Sequence, residues 1–286
     1  MVPSFAVTRG LRRAALVAGI AAILIYGGAM IWLVTQETRL VFEAGRPLGD
    51  LRPAAPFEEV LLDRAGEPRQ RLWIMRAPAG GASRPWLLYL HGNASNVASR
   101  LNILHVEKLR SLGLNVVAAE YRGFGGMDGV PTEAGLTADA RSAFDYMRRE
   151  LHAEPRRTII YGWSLGSAVA VDLASRVDEA ALILEGAPAS VVAIGARRYP
   201  YLPIRLLIRN PFESILKIDR VGSPVLFLHS PEDVIIPFVE GRRLFDAAPS
   251  PKQFVEVAGG HVYASEKDPR FFLFVRTFLH AQGVLP

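Results

Sequence analysis

The chain has 286 residues, of which 50% are hydrophobic and 21% are charged, and its formal net charge is +5. This much apolar surface excludes a disordered chain, because its burial offsets the conformational entropy lost on folding. The sequence contains no cysteine, which excludes disulfides, thiolate metal sites and cysteine catalysis. Lysine and arginine are scattered among the acids rather than gathered in a run, so we expect no nucleic acid as a partner.

The amino-terminal part of the sequence contains a long uncharged run at 14–35. As an α-helix this run would span about 30 Å, the thickness of the hydrocarbon core of a bilayer. Arg9, Arg12 and Arg13 precede it with no acid among them, which predicts a cytoplasmic segment at 1–13 and a chain that continues on the non-cytoplasmic side. A cleaved signal peptide and a buried soluble helix are the alternatives. Because the run is longer than the apolar core of a signal peptide, we predict an uncleaved, single-pass membrane anchor.

Residues 36–56 are predicted to be a linker, and 57–286 a single catalytic domain. Two short alternating runs at 58–63 and 70–76 predict a β-hairpin. Strands are then predicted at 86–90, 114–120, 158–161, 180–184, 224–229 and 253–257, with helices at 97–112, 132–151, 164–176, 238–247 and 268–281. Nearly continuous apolar strands that alternate with helices predict an α/β fold, with an eight-stranded, mostly parallel, doubly wound sheet.

The motif GWSLG at 162–166 stands between a predicted strand and the helix that follows it. Its glycines allow a sharp turn that holds the Ser164 hydroxyl at the carboxyl edge of the sheet. A serine hydroxyl is nearly inert at neutral pH, so it needs an adjacent base and an acid that orients the base. We therefore predict that Ser164 is a nucleophile.

The predicted base is His261, because it follows Ser164 in the chain and stands after two glycines in a loop behind the last strand. His280 is disfavoured because it falls within the terminal helix. The predicted acid is Asp233, in the loop after the seventh strand, where turn residues expose a short side chain. Glu185, at the end of the sixth strand, is the alternative acid. The chosen residues follow the chain order serine, acid, histidine.

Acyl transfer also needs N–H donors for the developing oxyanion. We predict the backbone amide of Leu165 as one donor and that of Asn93, in the HGNASN loop at 91–96, as the other, with Ala94 as the second choice for that loop. A tight turn in which Asn96 caps the next helix is the structural interpretation of the same loop, and both can hold. The sequence lacks GxxxxGK[ST] and HExxH motifs, so we predict neither a cofactor nor a metal ion.

Together these motifs resemble the α/β-hydrolase-fold serine hydrolases, in particular the membrane-anchored ABHD-type branch, similar to the serine aminopeptidase and monoacylglycerol lipase-like group. The resemblance covers residues 57–280. It is carried by HGNASN at 91–96, YRGFGG at 121–126, GVPTE at 129–133, GWSLG at 162–166, PFES at 211–214, DVIIP at 233–237 and GGH at 259–261. It implies Ser164 as nucleophile, Asp233 as acid and His261 as base, acting on carboxylic esters or thioesters of acyl and lipid-like substrates.

A cap over the active site is predicted at about 187–221, since the stretch between Gly186 and Gly222 is too long for a simple crossover. Arginines among apolar and aromatic residues fit a lid that faces a bilayer, and an ordinary amphipathic cap on the core is the alternative. Two residues depart from the pattern of such relatives, which often have Ser in place of Met127 and Gly in place of Ser230.

Two other functions are open to a chain of this kind. One is an amidase or aminopeptidase with the same triad, which no residue of the sequence separates from an esterase. The other is a non-catalytic scaffold used for binding, which the intact set of three triad residues disfavours. Nothing in the sequence predicts an oligomeric state.

Overall fold

The computed structural model describes residues 5–79 and 81–286. Within these residues the chain forms the strands β1 (Phe57–Leu62), β2 (Gln70–Met75), β3 (Trp86–Leu90), β4 (Asn115–Ala119), β5 (Thr158–Trp163), β6 (Ala181–Glu185), β7 (Val225–His229) and β8 (Lys252–Glu256). The helices of the same part of the chain are α1 (Phe5–Val41), α2 (Arg100–Ser111), α3 (Glu133–Arg149), α4 (Leu165–Ala174), α5 (Val191–Arg198), α6 (Ile204–Leu207), α7 (Phe238–Ala247), α8 (Gly260–Lys267) and α9 (Phe271–Ala281).

The strands form one sheet in the order β1-β2-β4-β3-β5-β6-β7-β8. Strands β3 to β8 are parallel to one another, whereas β2 is antiparallel to both β1 and β4. This confirms the predicted eight-stranded, mostly parallel α/β-hydrolase fold. Because parallel strands end at one edge, the segments that follow β3, β5, β7 and β8 meet there.

The central strands are buried on both faces of the sheet. Every residue of β3, β4, β5, β6 and β7 is buried. Neighbouring residues of one strand belong to opposite cores, since Leu87 belongs to the core that includes Val275 of α9 and Leu88 to the core that includes Val169 of α4. Helices therefore cover both faces, which explains why the strands read as continuous apolar runs.

The helix α1 is the candidate membrane span. Its segment Gly10–Val41 has a window of mean hydropathy 2.2 that is 0% buried, and by length and composition it can cross a membrane. The helix includes the predicted anchor at 14–35 and continues through residue 41 of the segment predicted as a linker. Residues 1–4 of the predicted cytoplasmic segment lie outside the described residues.

Two expectations about local structure are wrong. The segment predicted as a loop around His261 forms the helix α8, since the glycines before it turn the chain into a helix rather than prolonging a loop. Asn96 does not cap α2, which begins at Arg100 behind Ser99. Instead, Asn96 Oδ1 accepts a hydrogen bond from the Ala98 N–H at 3.0 Å, which makes a local turn before the helix.

The predicted cap region corresponds to a connection between β6 and β7 that holds α5 and α6. Ser190 caps the amino end of α5, where its Oγ accepts a hydrogen bond from the Ala193 N–H at 3.0 Å. Several of the large apolar side chains here are exposed, among them Tyr201 (87%) and Leu206 (86%). The connection therefore presents an apolar surface that the core of the domain does not bury.

Candidate active site

The candidate nucleophile lies on a sharp turn between β5 and α4. Ser164 has φ 53° and ψ −119°, a conformation that a residue with a side chain adopts only at a cost. A Cβ at Gly162 would collide with the backbone of Gly166 and Ser167, and a Cβ at Gly166 would collide with the Leu90 carbonyl. Glycine is therefore required on both sides of the serine, and the turn presents the hydroxyl at the carboxyl edge of the sheet.

Three side chains from distant parts of the sequence form one hydrogen-bonded chain at this edge. Nε2 of His261 lies 2.7 Å from Oγ of Ser164, and Nδ1 of His261 lies 2.6 Å from Oδ2 of Asp233. The imidazole and the carboxylate are largely buried, with 7% and 1% of their side chains exposed. A carboxylate at Nδ1 keeps the proton on that nitrogen and leaves Nε2 to accept the serine proton.

The loop after β7 fixes the orientation of Asp233. Its Oδ1 accepts hydrogen bonds from the N–H groups of Ile235 (2.9 Å) and Ile236 (2.8 Å), which leaves Oδ2 for the imidazole of His261. His229 also lies near Oδ2, at 3.5 Å. Burial lowers the pKa of His229 by more than the hydrogen bond with the Ile236 carbonyl and the charge of Asp233 raise it. The lowered pKa favours the neutral form of this second imidazole, while Oδ2 of Asp233 is closer to Nδ1 of His261, at 2.6 Å.

His261 stands in the first turn of α8. Gly259 and Gly260 before it have φ 104° and 68°, which glycine adopts without strain, and they turn the chain sharply after β8. The Gly260 N–H donates to Oγ of Ser230 at 3.0 Å. Ser230, one of the two departures from the family pattern, therefore ties the turn that carries His261 to the loop that carries Asp233.

The alternative acid, Glu185, is directed away from this chain. Its Oε2 lies 2.9 Å from Nε2 of His105 and accepts a hydrogen bond from the Tyr161 hydroxyl at 2.5 Å. Burial lowers the pKa of His105, but the charge and hydrogen bond of Glu185 raise it overall. The backbone carbonyl of Glu185 accepts the Ser164 N–H at 2.8 Å. Glu185 thus supports the turn that carries Ser164 and does not contact His261.

The two predicted oxyanion donors lie beside Ser164. Asn93 and Leu165 line the same cavity as Ser164, and in the described part of the chain neither of their backbone N–H groups donates a hydrogen bond. Gly92 lets the loop approach closely, because a Cβ there would lie 3.3 Å from Cβ of Ser164. Both amides are therefore free to donate to a substrate oxygen at this point.

A cavity of about 370 Å³ adjoins the serine. Its walls are mostly aliphatic and come from the cap, from the loop after β7 and from the last turns of α1. They include Val191, Ile194, Leu202, Leu207, Ile235, Ile236, Leu33, Val34, Leu40 and Val41. The contribution of α1 is not anticipated in the sequence, where this helix reads as a tether. Among the described residues no three His, Asp or Glu side chains gather as metal ligands.

Known proteins share both the sequence and the architecture of this chain. The uncharacterized protein Rv2307c of Mycobacterium tuberculosis is 36% identical over 266 residues, which cover 92% of this chain and 94% of that protein. The lysophosphatidylserine lipase ABHD12 of Danio rerio is 33% identical over 60% of this chain and 49% of its own length. The chain belongs to the ABHD-type α/β-hydrolase family. A scan against protein-family models finds no match.

A solved structure agrees with this family at the level of the fold. The esterase Pf2001 of Pyrococcus furiosus superposes with a TM-score of 0.67 over 84% of this chain and 98% of its own, at 16% identity. At that identity the likeness concerns the α/β-hydrolase fold alone. The named relative and this fold together indicate a hydrolase.

Proposed function

We propose that this ABHD-type chain is a serine hydrolase that cleaves carboxylic ester or thioester bonds of acyl, lipid-like substrates. The observation that carries the proposal is the hydrogen-bonded chain from Ser164 through His261 to Asp233, which ends at an apolar cavity. An activated serine beside free backbone donors is the combination that nucleophilic acyl transfer requires. Hydrolysis then needs neither a cofactor nor a metal ion.

The geometry supports a two-step reaction. Nε2 of His261 takes the proton of Ser164 as its Oγ attacks the carbonyl carbon, and Asp233 stabilises the imidazolium that forms. The amides of Asn93 and Leu165 donate to the oxyanion. His261 then passes its proton to the leaving alcohol or thiol, which leaves the acyl group on Ser164. Water, deprotonated by the same imidazole, attacks this acyl-enzyme, releases the acid and restores the serine.

The cavity supports an acyl chain as the part of the substrate that is recognised. At about 370 Å³ it is at the small end of the range of ~300–1,000 Å³ for ligand pockets, which suits a single chain. Two charged residues line it among the aliphatic walls, Arg198 and Glu37, and Glu37 already accepts hydrogen bonds from Arg209 and Asn210. The lipase activity in the name of the zebrafish relative supports the same substrate class.

The location of the chain is part of the proposal. The helix α1 serves as a single-pass membrane anchor, with residues 1–13 in the cytoplasm and the domain 57–286 on the non-cytoplasmic side. The arginines before the apolar run support this orientation. Reporters fused after Pro286 test it: alkaline phosphatase should be active and green fluorescent protein dark. The reverse pattern would place the domain in the cytoplasm.

A fluorophosphonate probe tests the nucleophile in the full chain. The wild-type protein should be labelled, and Ser164→Ala should lose the label. Ser175→Ala is the matched control, since this serine ends the same helix and its Oγ only donates to the Asp172 carbonyl. Labelling that persists in Ser164→Ala would place the nucleophile elsewhere. Lack of labelling in the wild type would favour the non-catalytic scaffold.

The bond that is cleaved needs a separate measurement. Turnover of p-nitrophenyl esters, acyl thioesters and aminoacyl p-nitroanilides by the same preparation compares the three classes directly. We expect esters and thioesters to be cleaved with a higher kcat/KM than amides, because the cavity offers aliphatic walls rather than an acidic site for a free amino group. A preference for aminoacyl amides would replace the esterase proposal with the aminopeptidase one.

A further inference from the structure

The last turns of the anchor helix α1 form one wall of the cavity beside the nucleophile. Leu33, Val34, Glu37, Leu40 and Val41 line it. These residues are spaced i, i+1, i+4, i+7 and i+8, which places them on a single face of the helix. These residues therefore form one stripe along α1, which faces the cavity beside Ser164.

A buried carboxylate fastens this stripe to the cap region. The Oε1 atom of Glu37 accepts hydrogen bonds from the Arg209 N–H (2.6 Å), the Asn210 N–H (2.9 Å) and Nδ2 of Asn210 (3.1 Å). Arg209 also donates from Nη2 to the Val34 carbonyl at 2.9 Å. A carboxylate that is 8% exposed is stable there only because these donors surround it. The register of α1 against the cap is thus fixed by polar contacts.

A second connection joins the end of α1 to the oxyanion loop. Nδ2 of Asn93 donates to the Val41 carbonyl at 2.8 Å, and Oδ1 of Asn93 accepts from the Glu43 N–H at 3.0 Å. Phe42 between them is buried, with its ring 5.9 Å from that of Phe212 in an edge-on arrangement. The residue that carries one oxyanion amide therefore also holds the end of the anchor.

The tip of the cap lies beside the apolar part of the same helix. The Tyr26 hydroxyl donates to the Tyr201 carbonyl at 2.9 Å. Tyr26 is inside the predicted span 14–35, about 13 Å along the helix from the end of that span. Tyr201 and Leu206 of the cap are exposed there. Apolar side chains of the anchor, of the cap tip and of the cavity therefore lie along the same helix.

We propose that α1 is the acyl-binding wall of the site, and that single-chain substrates reach Ser164 from the bilayer along α1 beneath the cap. Glu37 is a positioning residue that keeps the stripe in place. This inference rests on the proposed hydrolase function, since it assigns the part of that site that selects chain length.

The test measures chain-length preference in the full protein in nanodiscs. Val34→Trp places a ring in the cavity, whereas Thr35→Trp places the same ring on the opposite, exposed face of α1. Each methylene that loses its burial lowers kcat/KM by about fourfold. We therefore expect Val34→Trp to lower the laurate-to-acetate ratio of kcat/KM for p-nitrophenyl esters at least tenfold. The ratio for Thr35→Trp should stay within twofold of the wild type.

Two controls distinguish a change in chain-length preference from misfolding of the variants. Rates are divided by the fraction of protein that a small fluorophosphonate labels, and Leu33→Trp repeats the experiment at a second position of the stripe. Glu37→Ala should lower the same ratio at least fivefold, and Glu37→Gln should restore most of it, because the amide oxygen still accepts the hydrogen bonds of Arg209 and Asn210. Failure of Glu37→Gln to restore the ratio would remove the positioning role of Glu37.

The route from the bilayer has its own measurement. The chain has no cysteine, so Tyr201→Cys and Leu273→Cys can each carry a single nitroxide label. We expect the label at 201 to be more accessible to oxygen than to a water-soluble nickel chelate, and the label at 273, on α9, to show the reverse. A label at 201 as accessible to the water-soluble chelate as the label at 273 would overturn the bilayer route.

The outcomes separate the two proposals. A wild-type enzyme that cleaves both esters, with Val34→Trp leaving the ratio of their kcat/KM values unchanged, would overturn the acyl wall alone. A wild type with neither labelling nor turnover would overturn the proposed function itself.

Discussion

Replacement of Asp233 by asparagine isolates the role of the buried carboxylate. Oδ1 accepts two backbone N–H groups, and Oδ2 accepts the proton on Nδ1 of His261 at 2.6 Å. In Asp233→Asn the amide oxygen can keep the two backbone hydrogen bonds, which places the NH2 group opposite Nδ1. Two donors cannot face each other, so the imidazole moves its proton to Nε2. That nitrogen then donates toward Ser164 and no longer accepts its proton.

The expected loss follows from the tautomer and the lost charge. Substitution of the triad acid by its amide in another serine hydrolase lowers kcat by about 10⁴, and a loss of ~10³ to 10⁴ corresponds to about 4–5.5 kcal/mol of transition-state stabilisation. Since the Asp233 side chain is only 1% exposed, solvent cannot replace its charge next to His261. We therefore expect kcat for p-nitrophenyl butyrate at pH 7.5 to fall at least 10³-fold.

The assay compares kcat, KM and fluorophosphonate labelling rate for the wild type, Asp233→Asn and Glu232→Gln. Glu232 is the matched control, because it is the adjacent carboxylate and is exposed. Its variant should keep kcat within twofold. Since the acyl cavity is intact in both variants, KM should change little. Asp233→Asn with more than a tenth of wild-type kcat would contradict the assignment of Asp233 as the residue that orients His261.

Three further predictions concern residues around the site and in the fold. Burial raises the pKa of Glu179 from 4.5 to about 7, so the free energy of unfolding falls as the pH rises from about 4.5 to about 7 and stays lowered above it. Glu179→Gln should raise the free energy of unfolding on the order of 2 kcal/mol at pH 8 and leave it unchanged at pH 4. An equal gain at both pH values in thermal unfolding experiments would argue against a buried charge at Glu179. Gly162→Ala should lower the free energy of unfolding by about 3 kcal/mol, because the added Cβ meets the backbone at 166 and 167. The control Gly222→Ala should unfold like the wild type, because there is open space around that residue. Glu185→Gln should lower the melting temperature, because it disturbs the buried pair with His105, but should keep kcat within about threefold of the wild type. A loss of kcat as large as that of Asp233→Asn would restore Glu185 as the triad acid.

The parts of the site that follow from sheet topology could be predicted from the sequence. The apolar runs identify the strands, and parallel strands end at one edge, so residues directly after β5, β7 and β8 must meet. Ser164 follows β5 directly, Asp233 lies four residues after the end of β7, and His261 lies five residues after the end of β8. The short helix α8 escapes prediction because the glycines at its start mask an eight-residue helical segment. It moves His261 from a loop to a helix without moving it from the edge.

The wall formed by α1 could not be predicted, for a physical reason. A helix that is apolar on all sides has no face that distinguishes a bilayer from a protein surface, so its periodicity does not reveal which residues pack on the cap. The one local signal is Glu37, a carboxylate at the end of the apolar run, which reads as a flanking charge. Its partners are Arg209 and Asn210, 172 and 173 residues away. Only the folded cap brings these donors to it.

Among the described residues three buried histidine–carboxylate pairs are closer than 3 Å, and we propose that only one of them, His261 with Asp233, serves catalysis. His91 pairs with Glu120 at 2.8 Å and His105 pairs with Glu185 at 2.9 Å, and neither of these side chains is more than 2% exposed. In both histidines the second ring nitrogen faces a backbone carbonyl, at 2.8 Å in His91 and 2.9 Å in His105. The Ser95 hydroxyl lies 3.5 Å from Nδ1 of His91 but donates to the Gly92 carbonyl at 2.9 Å. In His261 that nitrogen faces a serine hydroxyl on a strained turn beside an open cavity. We therefore infer that the partner of the second nitrogen, rather than the presence of a paired carboxylate, separates the proposed base from the other two histidines of this chain.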